Sequence, residues 1–381
     1  MKHRWIQMDI AKGIGILMIV YGHSWFVANS LELQYPIIAS FILPLFFFLS
    51  GVFFKPEQPF VEMAVRKADG LLKPFFFTML VYVIVRDVLR GQALLPDIGG
   101  VLYASVDTIP WQALWFLPHF WVAILFSWVM LRLIQRLKLS LPVSCLLMVV
   151  QLLIGIWVLP WFWQIPVSVG GQTWTLPGLP FGLEITLISS TYFICGYLLR
   201  DWLRRHEGSW LGLLMSVALF AAVFLYSHAT MDLAQRRYDH WLWTSLLAVL
   251  GVYACWSLAR VLMVSTVITR AMTYIGQNTL ILLIFHGEIQ HKTVDLLERL
   301  GLHALVAACV GFGVAVVVPL LIGEVIKRVA FLRFFYFPFP VRKAPVAKRR
   351  LEGAVQSLRQ KSYLTLVIRL RGGPYMPWLP A

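Results

Sequence analysis

Ten stretches of mostly apolar residues follow one another along this chain, and that succession fixes its class. They lie near 11–29, 37–54, 73–90, 113–134, 140–160, 183–201, 209–227, 241–263, 273–289 and 303–328. Each has roughly the 17–25 residues that an α-helix needs to cross a hydrocarbon core. Of the 381 residues, 59% are hydrophobic and only 13% are charged, whereas a soluble domain carries about 25% charge. The mean hydropathy is +0.75. The expected fold is therefore all-α: a polytopic integral membrane protein of about ten transmembrane helices. Sixteen Trp, 13 Tyr and 26 Phe suit interfacial belts and helix packing.

The loops alternate in basic content. Of the 33 Lys and Arg residues, 27 fall on the side that holds the N-terminus, the loops near 55–73, 132–138, 200–205 and 260–270, and the C-terminal tail. The positive-inside rule then puts both termini in the cytoplasm. Topology accounts for the net charge of +15, so nucleic acid is not implied as a partner. Cys145, Cys195, Cys255 and Cys309 lie in apolar stretches and read as small core residues. No CxxC, HExxH, P-loop or GxGxxG pattern occurs, and no metal site is read. The N-terminus lacks a cleavage site after a short apolar core, so the first span is expected to be retained.

An ionisable group inside a span is costly and is a functional-site candidate. His23 is such a group, in the first span. Lys12 precedes it by eleven residues, which in a helix is about 20° around the axis and about 16 Å along it. Asp9, fourteen residues before His23, shares nearly the same face. This polar stripe, flanked by Gly13, Gly15 and Gly22, is expected to face a cavity. The alternative is a histidine bonded to a backbone carbonyl in a tight bundle. His286, near the outer end of the ninth span, reaches a similar depth. It either shares a site with His23 or meets external water. Ser50 and Gly51 sit at the cytoplasmic end of the second span, as lining of a narrow passage or as small residues for helix packing. Glu184 opens the sixth span, where an acidic first turn favours the helix dipole.

The external loop 161–182 is uncharged and rich in Trp, Pro and Gly. It is either a lid with an aromatic sugar-binding surface or a loop lying on the membrane interface. The tail, 336–381, is basic and is expected to lie against anionic headgroups or to be disordered.

Several segments together resemble the acyltransferase-3 superfamily of integral-membrane acyltransferases, most closely its fucose 4-O-acetylase-like branch. They are Asp9-Ile-Ala-Lys12 to Gly22-His23, Pro44-Leu-Phe-Phe-Phe-Leu-Ser50-Gly51, Lys73-Pro74, Leu114-Trp115-Phe116-Leu117, and Gly276-Gln-Asn278 to Phe285-His286. The resemblance implies a transmembrane acyltransferase domain over 1–335 and a catalytic role for His23. Many members carry arginine where this chain has Lys12, and a further arginine where it has Gly70. Lysine keeps the charge but loses the bidentate fork.

The resemblance implies transfer of an acetyl group from cytoplasmic acetyl-CoA, a substrate and not a bound cofactor, to a carbohydrate hydroxyl. In bacteria the acceptor would be a cell-surface or exported polysaccharide, or its lipid-linked repeat unit, at the inner membrane. Proteins of polysaccharide assembly are expected neighbours. Lys12, Arg66, Lys67 and Lys73 would hold the CoA phosphates at the inner face. His23 would act as general base or carry the acetyl group itself. His286, Asn278 or Ser50 would orient the acceptor or stabilise the oxyanion. The competing reading is a transporter or flippase of a lipid-linked saccharide.

Overall fold

The computed structural model describes residues 5–24, 34–169 and 171–339. The end of the first expected span, 25–29, and the basic tail from 340 lie outside the described residues. The chain forms α1 (Ile6–Gly22), α2 (Gln34–Val52), α3 (Phe60–Arg90) and the short α4 (Leu94–Tyr103). After a 3-10 turn at Gln112–Trp115 come α5 (Phe116–Arg136) and α6 (Leu141–Val158). Next are a hairpin of β1 (Trp163–Val169) and β2 (Gln172–Pro177), then α7 (Thr186–Leu198) and α8 (Arg200–Arg205). α9 (Trp210–Ser227), a small hairpin of β3 (Met231–Asp232) and β4 (Arg237–Tyr238), and α10 (Trp241–Leu262) follow. The described chain closes with α11 (Thr266–Gln277), α12 (Thr279–Arg299), α13 (Ala304–Arg328) and α14 (Ala330–Tyr336).

This is the all-α, multi-pass architecture that the apolar runs predict. Among the described residues eight helical segments are long and apolar enough to span a membrane, and the pair α11–α12 makes a ninth if it is one bent span. Four helix starts among the described residues, those of α9, α10, α11 and α13, carry a side-chain cap. Ser209 Oγ accepts from the Gly212 amide at 3.0 Å, and His303 Nδ1 accepts from the Leu305 amide at 3.2 Å.

Two segments depart from expectation. The ninth span, read as one helix over 273–289, is two helices that meet at 82°. The break is at Asn278, whose side-chain amide turns back to donate to the Tyr274 carbonyl at 2.8 Å. The second departure is α3, which starts thirteen residues before the expected span. Arg66 and Lys67 therefore sit on a helix and not in a loop, and Lys73, expected to open the span, lies within it. At 31 residues it is about 46 Å long, more than a bilayer core requires.

α1 is the hub. It packs against α2, α10, α11, α12 and α13, and Met8, Ile10, Ala11 and Val20 are fully buried. Its small residues permit this. A Cβ on Gly13 would come within 2.6 Å of the Met272 carbonyl oxygen, and one on Gly276 within 1.8 Å of the Asp9 carbonyl oxygen. The α1–α11 crossing is thus backbone against backbone, as small residues allow between spans. Gly51 and Gly196 make the same reciprocal approach between α2 and α7: a Cβ on either would come within about 2 Å of a carbonyl oxygen, that of Phe193 or of Phe48.

Candidate active site

His23 ends α1 instead of lying inside it: its φ and ψ are −92° and 5°, and its amide closes the last turn on Ile19. The imidazole is exposed to an internal cleft. Its ring centroid lies 5.3 Å from that of His286, with the planes at 50°. α12 presents His286 to this point from its second turn. His286 is fully buried. Its Nδ1 lies 2.9 Å from the Leu282 carbonyl and 3.0 Å from that of Leu283. Carbonyls only accept, so Nδ1 carries the proton and Nε2 presents a lone pair. That Nε2 is buried and has no hydrogen-bond partner among the described residues.

Three cavities converge here. The first, of about 310 Å3, is lined by Asp9, Lys12, Ser50, Gln277 and Thr279 among others. The second, of about 170 Å3, lies between α1 and α2 and is mainly aliphatic, with Met18, Ile38 and Ile42; His23, Tyr35 and Asp232 stand at its polar side. The third, also about 170 Å3, holds both histidines with Trp111, Gln112, Glu288 and His291. The lysine and aliphatic cavities share Ile19, Phe116 and Leu283. The aliphatic cavity and the histidine pocket share His23, Gln112, Ala113 and Leu283. The arrangement is a line from Lys12 to the histidine pair, narrowed by three apolar side chains and forked at its end.

The remaining sequence candidates divide. Trp115 lines the aliphatic cavity and packs its ring 5.5 Å from that of His119. Gly51 faces α7 and not a cavity, so helix packing is its role, while its neighbour Ser50 lines the lysine cavity. Asn278 is spent on the helix break. Lys67 is close enough to Arg66 and Lys12 for their charges to act on it. Arg66 donates to Gln58 at 2.6 Å on an exposed surface. Lys73 pairs with Asp69 at 2.6 Å and donates to the Phe337 carbonyl at 2.9 Å. Arg66, Lys67 and Lys73 line none of the three cavities.

Sequence reasoning missed the pair that holds the segments near the His23 end. Glu184 does not serve a helix dipole at a surface. It is buried and forms an ion pair at 2.8 Å with Arg236, their side chains 0% and 1% exposed. Arg236 also donates to the Ala234 carbonyl and to Ser105 Oγ, and its guanidinium lies 4.1 Å from the Trp163 ring centroid. The Leu179 amide donates to the other Glu184 oxygen. Tyr103 donates to the Gly178 carbonyl, and burial, then the Glu184 charge, raises its pKa above the usual tyrosine value. Asp232 is fixed in turn by Tyr35, which donates at 2.7 Å, and by the Ala234 and Gln235 amides. His119, also missed, is buried and tied to the Phe181 carbonyl and Ser189 Oγ. The partners that join these groups across elements are distant in sequence, so no local pattern points to them.

No curated protein and no solved structure matches the chain. A family model described as an acyltransferase domain matches residues 5–324, from the start of α1 into the last turns of α13. With that match over most of its length, the chain belongs to the acyltransferase-3 family and is an integral-membrane acyltransferase.

Proposed function

We propose that this acyltransferase moves an acetyl group from cytoplasmic acetyl-CoA to a hydroxyl of a cell-surface or exported polysaccharide, or of its lipid-linked repeat unit, at the bacterial inner membrane. The observation that carries this reading is the line of cavities that begins at Lys12 and ends at the facing rings of His23 and His286. A donor with an anionic head and a slender arm suits that shape. Lys12 and Lys67 would hold CoA phosphates, with the head on the cytoplasmic side. Arg66 would meet a phosphate only farther out, and Lys73, committed to Asp69, contributes least. The arm would part Ile19, Phe116 and Leu283 and bring its thioester to His23.

The acceptor hydroxyl then attacks the thioester carbonyl carbon while one histidine of the facing pair removes its proton. The tetrahedral intermediate collapses, the C–S bond breaks, and the proton passes to the departing thiolate. The product is the acetyl ester and free CoA. Oxyanion stabilisation falls to Gln112, which reaches both outer cavities. Ser50 lies beyond the apolar narrowing and Asn278 is already bonded, so neither suits that task. Family membership favours this enzyme over a saccharide transporter.

His23→Ala should lower acetyl transfer by about 100-fold or more, the scale of losing one member of a catalytic pair, with the protein still inserted and folded. The measurement is the mass of the host's glycan with wild-type protein, with the variant and without either. Loss of the acetyl increment in the variant supports the assignment, and near-normal acetylation would overturn it.

A further inference from the structure

The two outer cavities differ in chemistry, and that difference assigns them. One is aliphatic, with Met18, Ile38 and Ile42. The other is more polar, with both histidines, Glu288 and His291, and its tryptophan, Trp111, has an indole N–H buried without a partner among the described residues, whereas the aliphatic cavity has Trp115 beside its Met and Ile side chains. We infer that the histidine pocket is the site of the acceptor sugar, and that Nε2 of His286, not His23, takes the proton from its hydroxyl. This rests on the acetyl-transfer reading above. The aliphatic cavity takes the methyl end of the thioester, and His23, in the wall that both cavities share, orients the carbonyl between them.

Three observations support the assignment. First, the backbone carbonyls of Leu282 and Leu283 hold the proton on Nδ1 of His286. Its Nε2 can then only accept. A neutral imidazole in this tautomer suits removal of a hydroxyl proton and does not suit donation to an oxyanion. Second, this Nε2 is buried without a partner, although buried polar atoms are normally hydrogen-bonded. A hydroxyl seated there supplies the missing bond. Third, Trp111 lines the same pocket, and its indole N–H is also buried without a partner. An indole offers a sugar both a flat apolar face for its C–H groups and a donor for a ring substituent. The ligand class that fits is a pyranose whose free hydroxyl reaches His286 and whose neighbouring oxygen accepts from Trp111.

The test uses membranes that contain the full-length protein, labelled acetyl-CoA, and the host's own polysaccharide as acceptor. His286→Gln should lower kcat by about 100-fold or more and leave the affinity for CoA unchanged. Trp111→Phe keeps the ring and removes the donor. It should raise KM for the polysaccharide about fivefold, the scale of one neutral hydrogen bond, and leave KM for acetyl-CoA unchanged. Ile38→Trp, which fills the aliphatic cavity, should do the reverse. If Trp111→Phe raises KM for acetyl-CoA and not for the polysaccharide, or His286→Gln keeps near-normal kcat, the assignment is overturned. Should His286→Gln fail to fold, the Trp111→Phe and Ile38→Trp pair decides. Failure of the wild-type protein to transfer acetyl to polysaccharide would sink the proposed function itself, a result distinct from these.

Discussion

The two ends of α1 use glycine in opposite ways. Toward the N-terminus, Gly13 lets α11 approach until backbone meets backbone, and Gly276 answers from the other side. At the C-terminus, a Cβ on Gly22 would meet nothing closer among the described residues than the Ile38 side chain, at 3.9 Å, and Gly22 lines the aliphatic cavity. One end closes a helix pair and the other leaves room beside His23. A small residue in a span thus does not announce its purpose; what faces it decides. The same contrast separates Ser50 from Gly51. Neighbours in one motif, one borders a cavity and the other seals a helix crossing.

Substitutions can break or sharpen this contrast. The largest effect is expected from Gly276→Ala, because a Cβ would lie 1.8 Å from the Asp9 carbonyl oxygen and the helices would have to separate. Overpacking of this kind costs about 3 kcal/mol or more, and monodisperse folded protein in detergent should be lost; recovery at wild-type yield and Tm would refute the close crossing. Next is Glu184→Ala, which strands a buried guanidinium at a cost of about 3–5 kcal/mol. Thermal unfolding should drop accordingly, and proteolysis should open the 163–177 hairpin first. Lys12→Ala should raise KM for acetyl-CoA about tenfold, as loss of one charge-assisted hydrogen bond implies, while Lys73→Ala should leave it within about twofold, since Lys73 is held by Asp69 and the Phe337 carbonyl and lines none of the three cavities. Equal effects of the two would erase the distinction between the lysine that lines a cavity and the lysine committed to Asp69 and Phe337. The smallest effect belongs to Gly22→Ala. Stability should stay within about 0.5 kcal/mol of wild type, with a measurable rise in KM for acetyl-CoA.

What the sequence made legible was local. Apolar run lengths define the spans because the bilayer sets one length scale. The Lys12–His23 spacing places both residues along one helix because helix geometry needs no partner. The facing of His23 and His286 could be anticipated only as equal depth; the 5.3 Å approach depends on α12 turning at Asn278. That turn is marked by no proline or glycine at 278, only by an asparagine that bonds its own preceding turn. The basic residues Arg66 and Lys67 suggest a loop by their charge, while the helix periodicity that carries α3 back to Phe60 is masked by it. Asp69, four residues before Lys73, was the available sign of a helical pair. The Glu184–Arg236 pair joins residues 52 apart, and no pattern along the chain brings them together.

The narrowing at Ile19, Phe116 and Leu283 has a bearing on the membrane as a whole. A cavity at the lysine end and cavities at the histidine end, if joined by water, would be a conduit for ions through the bilayer. Three hydrocarbon side chains stand where they meet, and Leu283 borders every one of them. A dry constriction of this kind blocks conduction, since neither protons nor ions cross a gap without water. Cavities at two levels of a membrane protein can in this way be kept from forming one ion path, held apart by one leucine and two hydrocarbon neighbours.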